Sequence, residues 1–127
     1  MAGLTKVESC LMDLDLSYQE ATPGTFFIDD PGKGLPGVVV TIAEPVVILR
    51  AKVMPLPKKN RLELFETLLK LNASDIVHGA YAIDGPDVIL VDTLEFETLD
   101  EGELEAALDS IGMALSRHYV TLGKFRD

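Results

Sequence analysis

The hardest constraint on this chain is a change of hydrophobic period. From Val46 to Val53, "VVILRAKV", Val47, Leu49, Ala51 and Val53 point one way, and Ile48, Arg50 and Lys52 the other. Successive side chains of a strand face opposite sides of a sheet. This segment therefore reads as a strand with one face on a core and one nearer water. After "PLPKKN" the spacing turns helical. Leu62, Phe65 and Leu69 fall on one line, and Leu64, Leu68 and Leu71 on a neighbouring one. A chain that makes this switch needs a sheet and a helix packed on it.

The other segments extend the pattern. "TFFI" (Thr25 to Ile28) and "GVVVTI" (Gly37 to Ile42) are rich in β-branched and aromatic residues, and "DDPGKGLPG" and "AEP" separate the strands as turns. "AYAID" (Ala80 to Asp84) and "DVILVDTLEF" (Asp87 to Phe96) flank Asp84–Gly85, a hairpin signal. A first helix is expected from Thr5, with Glu8 at capping-box spacing and Leu4, Val7, Leu11 and Leu14 on one face. Asn60 with Glu63 and Asp100 with Glu103 repeat the cap for two more helices. The last helix carries Leu104, Ala107, Leu108, Ile111, Leu115, Tyr119 and Leu122 as its stripe. The predicted order is α-β-β-β-α-β-β-α: an α+β fold with an antiparallel five-stranded sheet and helices on one face. Residues 1–127 are expected to form a single domain.

Charge and composition narrow the function. Hydrophobic residues make up 47% of the 127, which is far from a disordered composition. The formal net charge of −10 argues against nucleic acid as a partner. No apolar run reaches the roughly 20 residues of a membrane span, and the opening residues do not read as a signal peptide. The lone Cys10 cannot form an internal disulfide, which fits a cytoplasmic protein. Cys10 flanks the first helix's stripe and reads as a small core residue. Arg50, Lys52, Lys58, Lys59, Arg61 and Lys70 cluster mid-chain, whereas Leu71 through Ser116 holds no lysine or arginine. That acidic stretch is a solvated surface or one that steers a basic partner.

Tests for chemistry return little. "PGKG" (Pro31 to Gly34) fails as a phosphate loop, because Phe27 stands where the first glycine belongs and Gly34 where Ser or Thr belongs. His78 and His118 are the only histidines, and no His or Cys spacing supports a metal. His118 lies at the edge of the last stripe, where a structural role is expected. His78 reads as a loop residue between a helix ended at Asn72 and a strand. No catalytic residue, metal or cofactor is assigned.

The wording of the chain also resembles a family. "LLKLN" closing a helix, "GAYAID" and "VILVDTLEF" as a hairpin, and "LDEGELEAALDSI" resemble the YbjN-like family of bacteria, which is similar in fold to the type III secretion chaperones. "VVVTIAEPVVILRAKVMPLP" fits the family's central strands. The resemblance covers most of the chain and is weakest before Thr25. It implies a small, acidic, commonly dimeric cytoplasmic protein that binds other proteins and carries no enzymatic residues.

The expected function is a non-enzymatic, chaperone-like protein-binding module. A signalling regulator acting through protein contacts and an enzyme of unrecognised type are the alternatives. Ile48, Arg50 and Lys52 are the expected partner-binding surface, against the simpler reading of a solvated sheet face. The apolar arc of the second helix covers roughly half its cylinder, wider than one sheet contact needs. Leu64, Leu68 and Leu71 are therefore assigned to a homodimer interface, with burial inside the same chain as the competing reading.

Overall fold

A computed structural model describes residues 5–127. The helices are α1 (Lys6–Asp13), α2 (Arg61–Ser74), α3 (Glu101–Arg117) and α4 (Tyr119–Gly123). The strands are β1 (Tyr18–Thr22), β2 (Thr25–Asp30), β3 (Leu35–Ala43), β4 (Val46–Pro55), β5 (Ala80–Asp84) and β6 (Asp87–Glu95). They form one sheet in the order β1-β2-β3-β4-β6-β5, with every neighbouring pair antiparallel.

The α+β class and the antiparallel sheet agree with the sequence reading, but the sheet has six strands rather than five. The additional strand is β1, "YQEAT". It is an edge strand whose side chains are mostly exposed, so it carries no apolar alternation to reveal it.

The strand pairing builds the core in rows. Tyr18, Ile28, Val38, Ala51, Leu90 and Tyr81 are successive neighbours across the sheet on its inner face. Phe26, Val40, Leu49 and Asp92 form the next inner row. Val7, Cys10 and Leu11 of α1 and Leu104, Leu108 and Ile111 of α3 are buried in the same apolar cluster. Cys10 is thus the small core residue its position suggested. Leu4, expected on the α1 stripe, lies outside the described residues.

Local signals were obeyed unevenly. Thr5 Oγ1 accepts from the Glu8 amide at 3.0 Å, and Asp100 Oδ1 from the Glu103 amide at 2.7 Å, so both caps form as expected. Asn60 instead takes a left-handed conformation (φ 59°) and makes no side-chain cap. α2 also continues past Asn72 to Ser74 rather than ending there. The alternation of β4 holds as far as Ala51. A register shift between Lys52 and Met54 then brings Met54, not Val53, into the core. The last helix breaks at His118, and Tyr119 of the expected stripe turns outward while Leu122 remains buried.

Gly79, immediately before β5, has φ 83°, and a Cβ there would stand 2.6 Å from the Val91 carbonyl oxygen. Both the conformation and the close approach require glycine. Gly79→Ala should cost about 3 kcal/mol, read as a lowered urea midpoint with an unchanged m-value.

Candidate functional site

The outer face of the sheet carries the residues marked by the sequence. Strand pairing places Gln19, Phe27, Val39, Arg50, Val91 and Ala80 in one row across the six strands. Ile48 lies between Thr41 and Thr93, and Lys52 lies beside Ile89. Ile48 is half-buried, while Arg50 and Lys52 are exposed. The row is thus a cation among Phe27, Val39 and Val91. Lys52 Nζ stands 3.5 Å from an Asp87 carboxylate oxygen. Arg50 has no ion-pair partner among the described residues.

The second marked set sits differently. Leu64 and Leu68 are buried in the protein's own core, and Leu71 packs partly against it. This corrects the facing assigned to α2. The outward line is the other one, with Leu62 83% and Leu69 68% exposed. Both lines are apolar, so helical spacing alone does not decide which meets the core. Ile83 of β5 is also exposed, and a cleft of about 220 Å³ lined by Phe65, Leu69, Asn72 and Ile83 runs between α2 and β5.

His118 lies inside a network that sequence spacing did not reveal. It is only 4% exposed. The Tyr81 hydroxyl lies 2.6 Å from His118 Nδ1, and His118 Nε2 lies 3.2 Å from Asp75 Oδ2. A neutral imidazole satisfies both contacts when Tyr81 donates to Nδ1 and Nε2–H donates to Asp75. The backbone of Tyr81 is held as well. Its N–H donates to Asn72 Oδ1 at 2.7 Å, and its carbonyl accepts from Asn72 Nδ2 at 3.2 Å. The hydrogen bond from His118, followed by one from Ser74, holds the Asp75 carboxyl below its ordinary range. Burial, then the Asp75 charge, pushes the Tyr81 hydroxyl well up, so it stays protonated. The arrangement ties elements together, with His118 buried and Asp75 open to a shallow groove that His78 also borders.

His78 is exposed on a shallow groove of about 230 Å³ beside Val77, Met113 and Arg117. Its amide donates to Ser110 Oγ at 3.3 Å, and Ser110 donates back to its carbonyl at 3.4 Å. The histidine is held here by its backbone, as a loop residue. Among the described residues, no cluster of three or more His, Cys, Asp or Glu is placed to hold a metal ion. No described helix is long and apolar enough to cross a membrane.

Residues 2–127 match the CesT_Tir_1 family, a type III chaperone family. The chain belongs to that family. No curated protein matches it. The fold is similar to a chain in the ExoU–SpcU complex of the Pseudomonas aeruginosa type III secretion system, with TM-score 0.70 and 19% identity over 87% of this chain and 93% of that one. It is similar to YbjN of E. coli, with TM-score 0.68 and 14% identity over 91% and 89% of the two chains. It is also similar to a chain of the HopA1–SchA chaperone–effector complex, with TM-score 0.66 and 9% identity over 87% and 88%. At these identities the likeness is one of fold.

The Asp75 contact sets a pH dependence. A carboxyl whose folded pKa lies below its unfolded value contributes stability above the unfolded pKa and loses it as pH falls through the folded one. Stability should therefore decline from about pH 4 downward. In Asp75→Asn that part of the decline should shrink, as measured by urea unfolding at a series of pH values. Tyr81→Phe should cost about 2 kcal/mol at neutral pH, because it leaves a buried ring nitrogen without its donor.

Proposed function

We propose that the chain is a non-enzymatic, chaperone-like module that holds or regulates a partner protein in the cytoplasm. The observation that carries this reading is the outer face of the sheet. It presents half-buried Val39, Ile48, Ile89 and Val91 beside exposed Phe27 and Arg50, which has no ion-pair partner among the described residues. Membership of a type III chaperone family supports it, as do fold relatives solved as chaperone–effector complexes. Flat apolar surface with a few placed charges suits a protein segment, whereas an enzyme would want a concave site with convergent polar groups. Arg50 and Lys52 lie within a protein of net charge −10, so a client with apolar and acidic residues complements this face.

The test is capture of partners from the native host, followed by mass spectrometry, with wild type and Ile48→Ser/Arg50→Glu compared. The double variant should lose its partners and keep a melting temperature within a few degrees of wild type. Full-strength capture by the variant would move the binding surface elsewhere.

The same reading includes a homodimer, formed through the outward line of α2. Leu62 and Leu69, with Ile83 beside them, make an apolar stripe that a second copy would cover. Sedimentation at micromolar concentration should give twice the 13.8 kDa chain mass. Leu62→Glu/Leu69→Glu should sediment as a monomer while staying folded, because neither side chain belongs to the core.

A further inference from the structure

A separate groove of about 540 Å³ runs on the helix side of the sheet, between the turn at Pro31–Gly34 and the C-terminal part of α3 with α4. Val53, Tyr81, Leu115 and Leu122 give it an apolar lining. Its volume lies within the range of sites that bury a ligand's side chains or body. Two glycines shape it. A Cβ on Gly112 would stand 3.0 Å from the Gly34 carbonyl oxygen, so helix and turn meet through their backbones.

The charge of this groove departs from that of the protein. The chain has 21 acidic and 11 basic residues, yet no carboxylate lines the groove, and Arg126 does, with Lys52 at its edge already paired with Asp87. The guanidinium of Arg126 lies over the Tyr119 ring, 5.0 Å from its centroid, and Nη1 donates to the Tyr119 carbonyl at 3.5 Å. These contacts fix the group at the rim and leave most of its donors uncommitted. Arg126 has no carboxylate in ion-pair range among the described residues. A planar guanidinium so held matches a carboxylate with two parallel hydrogen bonds. Lys52 borders this groove and also belongs to the outer sheet face, since the register shift of β4 begins beside it.

We propose that this groove takes a short extended segment of a partner protein, placing a large apolar side chain over Val53 and Leu115 and an adjacent Asp or Glu on Arg126. The inference rests on the protein-binding reading above and adds to it a second contact and the partner's local chemistry. The open trough and its continuity with the outer face through Lys52 favour a peptide over a free amphiphilic acid.

The experiment uses the full chain, labelled for amide NMR, and two blocked tetrapeptides, Leu-Phe-Asp-Leu and Leu-Phe-Lys-Leu. The acidic peptide should shift the amides of Val53, Gly112, Leu115 and Tyr119. It should bind about tenfold tighter than the basic one. Arg126→Glu should reverse that preference without changing the melting temperature. Equal binding of the two peptides to the wild type, or no shift at millimolar peptide, would overturn the proposal. Shifts confined to Ile48 and Arg50 would overturn the groove and leave the protein-binding reading standing. Dodecanoate shifting the groove amides where the acidic peptide does not would make the occupant a fatty acid and overturn the peptide assignment.

Discussion

Tyr81 is gripped at both ends by the last turns of α2. Asn72 bonds its backbone N–H and carbonyl, while Asp75 reaches its hydroxyl through His118. These contacts join four elements, since His118 ends α3 and begins α4. Apart from them β5, an edge strand, is paired only with β6, and α2 rests on the core by Leu64 and Leu68 with Phe65 and Leu71 partly packed against it. The network is closed, with both ring nitrogens of a buried histidine satisfied. A partly satisfied version would cost more than an apolar core. This makes the position of α2, and so the apolar stripe it presents outward, depend on Tyr81.

The two faces of the sheet follow from a single alternation with different coverage. On the inner face the rows meet α1 and α3, which cover them except along the groove beside α4. On the outer face the same strands present Phe27, Val39, Ile48 and Val91 with Arg50 among them. Half-exposed β-branched residues hold the sheet together through cross-strand pairs and remain available to a partner. A lone guanidinium on that surface contributes little to folding, because exposed charges are well solvated. It matters for which partner fits, since a carboxylate placed there would be favoured and a cation repelled.

What could be read in the sequence was what depends on near neighbours. The period-two run from Val46 to Ala51, the caps at Thr5 and Asp100 and the Asp84–Gly85 hairpin are all local, and all are present. β1 escaped because "YQEAT" lies at an edge with exposed side chains, so nothing imposes a pattern on it. The facing of α2 was inverted because both of its leucine lines are apolar, and only tertiary packing selects between them. The roles of Asn72 and His118 were hidden for the same reason. Their partner Tyr81 is nine and 37 residues away, and no spacing rule links an asparagine inside a helix to a strand backbone. The outer face was legible as far as Ile48, Arg50 and Lys52, but its extent comes from strand order. The groove at Arg126 was not, since it joins a turn, the end of a strand and the last helices.

The edges of the sheet bear on how a partner can be held. β1 is short, its register shifts between Glu20 and Thr22, and its side chains are mostly polar and exposed. These are the usual means of discouraging edge-to-edge pairing. At β5 the Asn72 amide stands where the backbone of an added strand would bond, offering one acceptor and one donor to Tyr81 as a paired strand would. Strand addition there would have to displace those bonds and the helix that carries them. Two guarded edges leave the face, the outward side of α2 and the groove beside α4 as the surfaces open to side-chain recognition. On such surfaces a charge set among apolar residues favours a group of opposite sign, and Arg50 and Arg126 are cations so placed.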